Sequence, residues 1–234
     1  MTLTSFFRIF LAGVIAASVM GCSYMAKAIL APQKDVSKFY LLTPTADTAA
    51  PATGSTQSTN GNFTLGLGPI KLPPYLDRPE IVTRAAPNRL ELSKEDRWGE
   101  SIQNGFTRAM ERDLAAQAGA AVIVFPWYST VHIDMQVQID VSRFETDAQG
   151  TATLSAKWTI LDSSGKTILY TVESNLTQPS KPGDNTEAAA ALSRTIGDLS
   201  GQIANMLQHF ARTKECTQPD AFPHDCPPSL EGRG

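Results

Sequence analysis

Strict alternation of apolar and polar residues is the clearest pattern in the chain. Val131, Ile133, Met135, Val137, Ile139 and Val141 alternate with His132, Asp134, Gln136, Gln138, Asp140 and Ser142, which predicts a long strand with one dry face and one wet face. Leu154, Ala156, Trp158 and Ile160 repeat the pattern. After the turn Asp162-Ser163-Ser164-Gly165, Ile168, Tyr170 and Val172 complete an antiparallel meander. Earlier stretches with strand character are 38–43, 63–72, 80–84 and 88–92. The short apolar run 121–125 reads as a buried strand closed by Pro126.

Two other stretches repeat every third or fourth residue. Trp98, Ile102, Phe106, Met110 and Leu114 mark one face of a helix over 96–118, with Ser93 or Asp96 as its cap and Gly119 as its stop. Leu192, Ile196, Leu199, Ile203, Met206, Leu207 and Phe210 mark a second over 186–211. The expected fold is therefore α+β: one domain over 37–212, a mostly antiparallel twisted sheet with two long amphipathic helices packed on one face. Residues 45–62 are Ala, Thr, Ser, Gly, Gln, Pro and Asn with scarcely a large apolar side chain, so they are expected to form a flexible loop. A second loop, 178–185, precedes the last helix. Gly197 and Gly201, four apart in that helix, suit close approach of another backbone or else simply cost helix stability.

The amino terminus has a different character. Arg8 precedes a run of 12 apolar or small residues from Ile9 to Met20, the length and order of a signal peptide and too short to span a bilayer. It ends in Val19-Met20-Gly21-Cys22, which resembles the bacterial lipobox. That resemblance implies removal of residues 1–21 and acylation of the Cys22 thiol, with 22–36 as a tether. Two or more acyl chains hold a protein stably to a bilayer, where one holds it marginally. Ser23 stands where an Asp would imply retention at the inner membrane, so the resemblance implies the periplasmic face of the outer membrane.

Charge and cysteine content narrow the partners. Without the leader the 234-residue chain keeps 19 basic against 23 acidic side chains, so it has no basic surplus for nucleic acid. Cys216 and Cys226 remain in the tail 213–234, and in an oxidising compartment they are expected to pair. A metal site with His224 is the rival, one ligand short of the four zinc usually takes.

No catalytic set emerges. The three histidines, His132, His209 and His224, are scattered, and Gly197-Asp198-Leu199-Ser200-Gly201 lacks the spacing of a nucleophile elbow. His132 and Asp134 share a strand face but show no third metal ligand. Asp134, Gln136, Gln138 and Asp140 read as a solvated or interfacial stripe. Gly66-Leu67-Gly68 is followed by Pro69, not by a third glycine and a helix, so it reads as a bend or close backbone approach within a strand rather than a nucleotide loop. No enzyme activity, cofactor or metal is expected.

The most distinctive interior stretch is 72–84, LPPYLDRPEIVTR. Pro73 and Pro74 stop a strand, Asp77-Arg78-Pro79 turns with opposite charges at its tip, and 80–84 is strand again. The tip serves either as a docking contact or as local structure. If it docks, the Tyr75-Leu76 pair is the favoured contact, beside Asp77 and Arg78, because an exposed aromatic next to an Arg suits an interface centre.

Gly68, Pro69, Ile70, Leu72, Pro73, Tyr75 to Pro79 and Ile81 to Arg84, followed by Arg97, Trp98 and Glu100, resemble the ABC-transport auxiliary lipoprotein family, as do Phe39-Tyr40-Leu41-Leu42 upstream. The resemblance spans about 38–210 and includes the lipoprotein subunits of Pqi-type membrane-integrity systems. It implies docking to a periplasmic transporter component bearing mammalian-cell-entry domains, within a lipid-transport system, and a homo-oligomeric ring at the outer membrane. An exported envelope hydrolase and a structural envelope spacer are the alternatives.

Overall fold

The computed structural model describes residues 36–48 and 63–216, with side chains up to Arg212. Residues 1–36 and 37–234 form separate units, and the elements below all belong to the second. In chain order they are β1 (Lys38–Tyr40), the one-turn helix α1 (Thr45–Thr48), β2 (Thr64–Lys71), a 3₁₀ turn (Pro74–Leu76), β3 (Glu80–Ala86), β4 (Arg89–Trp98), α2 (Ile102–Ala118), β5 (Ala121–Val124), β6 (Met135–Asp147), β7 (Thr151–Asp162), β8 (Ile168–Pro179) and α3 (Asn185–Cys216).

The alternation at 135–141 builds the strand around which the sheet is organised. β6 pairs antiparallel with β7 along one edge. Along the other it pairs parallel with β2 from Met135 to Asp140 and with β3 at Thr146 and Asp147. β8 continues the meander beyond β7, β5 flanks β2, and β4 and β1 flank β3 in turn. The sheet is mixed, and its longest ladders, β6–β7 and β7–β8, are antiparallel. Both long helices cover one face, burying Leu65, Leu67, Val137, Ile139, Phe144, Leu154, Trp158 and Ile160 against Phe106, Met110 and Leu114 of α2 and Leu192, Ile196, Leu199 and Ile203 of α3. The expected α+β architecture is the observed one.

Several boundaries move, each for a local reason. The first long helix starts at Ile102 with Ser101 as its cap, accepting from Asn104 N, and not at Ser93 or Asp96. Residues 96–98 are strand because β1 pairs beside them, Lys38 with Asp96 and Tyr40 with Trp98. β6 starts at Met135, since the chain ahead of it crosses the outer face of the sheet. There Gly66 leaves room: a Cβ on it would meet Trp127 at 3.0 Å and Ile133 at 3.1 Å. Gly68, at φ +120°, and the cis Gly68–Pro69 bond sit in the irregular pairing between β2 and β6, which is the expected bend. Residues 45–48, expected as the start of a flexible loop, are an ordered turn; residues 49–62 lie outside the described residues.

That turn ends a strap laid across both helices. Leu42 is buried, its carbonyl accepts from Arg108, and Thr43 N donates to Ser193 Oγ at 3.0 Å. Thr45 Oγ1 and Ala46 N both donate to Oδ1 of the buried Asp113, at 2.9 and 2.8 Å. Thr45 also packs where Gly197 lacks a side chain: a Cβ there would lie 2.5 Å from Thr45 Cγ2. The glycine pair of α3 thus admits two side chains, Thr45 at Gly197 and Gln117 at Gly201.

Candidate functional site

The 72–84 stretch folds as a turn braced from below. Pro73 and Pro74 end β2 and start the 3₁₀ turn, in which Leu76 N donates to Pro73 O at 3.0 Å and Asp77 N to Pro74 O at 3.1 Å. Leu76 is only 3% exposed and belongs to the core, whereas Asp77 and Arg78 are exposed at the tip. Behind the tip, Glu80 pairs with Arg97 at 3.0 Å and Trp98 N donates to Pro79 O at 2.7 Å, so the turn is pinned to the end of β4.

The brace is Glu145 of β6. It follows Phe144, whose ring faces the helices and meets Phe106 edge-on, so its own side chain points to the outer face. Its carboxylate has no exposed surface. Tyr75 Oη donates to Oε2 at 2.6 Å, and the Nε atoms of Arg84 and Arg143 both donate to Oε1, at 2.6 and 2.8 Å. Burial alone would raise the Glu145 pKa, but these three bonds outweigh it and hold the carboxyl below its usual range. Burial and the neighbouring carboxylate push the Tyr75 phenol up to about 12. The bond to Glu145 raises the Arg84 guanidinium further. One carboxylate against two guanidiniums leaves this base net positive, and both Arg side chains are partly exposed, at 22% and 33%.

The structure corrects the expectation of an exposed aromatic contact: Tyr75 turns inward to Glu145 and Leu76 enters the core, so of the four sequence-predicted residues only Asp77 and Arg78 face solvent. Sequence reasoning missed Glu145 and Arg143. Glu145 sits two residues past Arg143, beyond an irregularity in the β6–β7 register between Val141 and Arg143 where the alternation that ran from 131 breaks, and that break was the available signal.

The remaining candidates are dispersed. His132 Nε2 lies 3.2 Å from Asp134 Oδ1, and Asp134 Oδ2 accepts from Thr64 N at 2.9 Å, tying the crossover to the start of β2. Gln138 and Asp140 are exposed on the outer face, and Gln136 donates to Ser163 O in the β7–β8 turn. Among the described residues no three His, Cys, Asp or Glu side chains cluster as metal ligands, and no helix is long and apolar enough to cross a membrane. An open groove of about 480 Å³ along α3, between Thr45, Gln117, Gln178, Arg194 and Asp198, is lined by no histidine, cysteine or serine. Cys22, Cys226 and the side chain of Cys216 lie outside the described residues.

Comparison with solved structures places this fold. An uncharacterized protein matches with a TM-score of 0.58 at 16% identity, over 73% of this chain and 98% of its own. Protein XCC0632 from Xanthomonas campestris, of family DUF330, matches with a TM-score of 0.57 at 19% identity, over 77% of this chain and 100% of its own. At such identities the likeness is one of fold. No curated protein matches. Residues 40–204, which run from β1 through the braced turn and into α3, match the sequence profile of the ABC-type transport auxiliary lipoprotein component, and the chain belongs to that family.

Proposed function

We propose that the chain is a non-enzymatic, lipid-anchored docking subunit of an envelope lipid-transport and membrane-integrity system of Pqi type. Acylation of Cys22, palmitate included, holds it through the 22–36 tether to the periplasmic face of the outer membrane. Domain 37–212 there receives a periplasmic transporter component bearing cell-entry domains, with several copies of the chain assembled together. Cys216 and Cys226 close a disulfide in the tail.

The observation that carries the docking role is the base of the 72–84 turn. A surface loop normally loses conformational entropy on binding, and rigidity in the free state removes that cost. Here a core leucine, a buried carboxylate and three charge-assisted bonds fix the turn, and the two residues left at its tip carry opposite exposed charges. Tyr75 and Leu76 hold the shape that Asp77 and Arg78 present.

Capture of the cell-entry-domain protein by the full chain in detergent tests this. The double charge reversal Asp77→Arg/Arg78→Asp is expected to weaken capture at least about tenfold, roughly 1.4 kcal/mol, with thermal melting unchanged. Undiminished capture by that variant removes the tip from the interface. No capture by the unaltered chain removes the docking role itself.

A further inference from the structure

Glu145 has spent its hydrogen-bonding capacity, and the two arginines that hold it have not. A carboxylate offers about four lone-pair sites, and a guanidinium five N–H donors. Oε1 of Glu145 takes the Nε atoms of Arg84 and Arg143, while Oε2 takes Tyr75 Oη at 2.6 Å and Phe144 N at 3.2 Å, so the carboxylate is full. Each guanidinium has given Glu145 only its Nε–H. Arg84 gives a second donor, from Nη1 to Pro87 O at 2.9 Å, and lies against the Tyr75 phenol, yet has N–H groups to spare. Among the described residues no acceptor takes either terminal nitrogen of Arg143.

Bonds of 2.6 and 2.8 Å to one oxygen hold the two Nε atoms at most about 5.4 Å apart. Like charges this close repel, and one carboxylate offsets only one of them. Asp147, opposite Arg84 in the β3–β6 pairing, does not supply the second: it is turned to its own hairpin, where Oδ1 accepts from Gln149 N and Thr151 N at 3.0 and 2.8 Å. One positive charge is left over, on side chains that reach solvent. A singly charged oxyanion completes the set. A carboxylate is flat and fits the fork of one guanidinium, whereas a phosphate is tetrahedral and can accept from two guanidiniums at once.

We propose that Arg84 and Arg143, held side by side by Glu145, bind one phosphate group, either the phosphodiester of a lipid headgroup or a free phosphate. β6 lies three strands from β1 in the sheet order, about 14 Å at ~4.8 Å per strand. The proposed tether leads into β1, so the anchoring described above sets a bilayer's headgroups near the site. The site itself stands without that anchoring and without the docking tip.

Arginine modification of the unaltered full chain in a non-ionic detergent tests it, with phenylglyoxal as the reagent and peptide mass spectrometry as the readout. The probes are inorganic phosphate and dihexanoylphosphatidylglycerol, each against sodium chloride at the same ionic strength. A saturating probe is expected to slow modification of Arg84 and Arg143 at least about fivefold, and to leave the exposed Arg89 and Arg112 unchanged. Glu145→Gln keeps an acceptor for both Nε atoms but removes the opposing charge, and is expected to lower the half-protecting concentration at least about tenfold. A purely structural network gives no such gain, and a half-protecting concentration left unmoved overturns the site. If that variant does not fold, the protection pattern of the unaltered chain decides alone. Protection by both probes shows that free phosphate suffices, and protection by the lipid alone assigns the headgroup. Equal slowing at Arg89 and Arg112, or none at Arg84 and Arg143 with either probe, overturns the site and leaves the docking role, which capture reads, standing.

Discussion

A carboxylate with no exposed surface keeps its charge only if donors replace the water it has lost, and Glu145 has four: Tyr75, Arg84, Arg143 and the Phe144 amide. Its pH dependence follows from the directions of the shifts. Glu145 is held below the usual carboxylate range, so the stability it contributes is whole above the unfolded value, near pH 4.5, and is lost as pH falls through the lower folded value. Tyr75 is raised from 10.0 to about 12, so its contribution is whole below about pH 10 and is lost as pH rises toward 12. Melting temperature is therefore expected to be flat, as far as this network governs it, from about pH 5 to 10. Tyr75→Phe deletes one bond to a charged acceptor at a half-buried position, at a cost of about 1–2 kcal/mol near neutrality. In urea titrations across pH, the variant should lose less than the parent on the acid side, its loss ending at a higher pH, and lose less than the parent between pH 10 and about 12. Parallel curves for the two proteins would mean that the bond carries no energy.

Elements whose residues answer to one neighbour were legible in the chain, and those that answer to two were not. The dry side chains of β6, β7 and β8 all face one helix layer, so their period of two stands out. Trp98 instead satisfies two periods. It lies four residues before Ile102, and it is also the last residue of β4, where Tyr40 pairs beside it. Asp96, a plausible helix cap in the sequence, accepts instead from Tyr40 Oη, Ser93 Oγ and Asn185 Nδ2, a set assembled from distant parts of the chain. The cap lies at Ser101, and Ser101→Ala is expected to cost about 1 kcal/mol by urea denaturation, where a Ser93→Ala variant should leave the helix end unchanged. The glycines of α3 separate the same way. Gly197→Ala would drive a methyl to 2.5 Å from Thr45 and is expected to destabilise by about 1–3 kcal/mol, despite a helix-propensity gain of about 1. At Gly201 the nearest atom is the end of the Gln117 side chain, at 3.0 Å, which moves easily, so Gly201→Ala is expected to be neutral or to stabilise by up to about 1 kcal/mol. Equal effects at both positions would show that Thr45 does not hold its place on α3.

Across the whole molecule, the parallel joins were the illegible part, because nothing local records which distant strands will meet. β2, β3 and β5 look alike in sequence, yet β6 takes β2 and β3 along a single edge, and the turn 72–79 spans the step between them. That step is why Tyr75 reaches Glu145, 70 residues away, and why the candidate site could be named from its turn but not from its base. The strap 41–48 is long-range in the same sense: it joins β1 to both helices through Asp113 and Gly197. Asp113 Oδ1 takes both strap bonds, while Oδ2 is buried with no hydrogen-bond partner. Asp113→Ala removes the acceptor for Thr45 and Ala46 and is expected to cost about 2–3 kcal/mol, whereas Asp113→Asn keeps an acceptor and should cost less. Hydrogen exchange distinguishes a local latch from a general loss of stability. If the strap is a separable unit, Asp113→Ala should speed exchange at Thr43 and Ala46, whose amides donate to Ser193 and Asp113, and leave the β6–β7 ladder as protected as before, apart from its share of the global change. If protection falls uniformly from β1 to β8, the strap is part of the core.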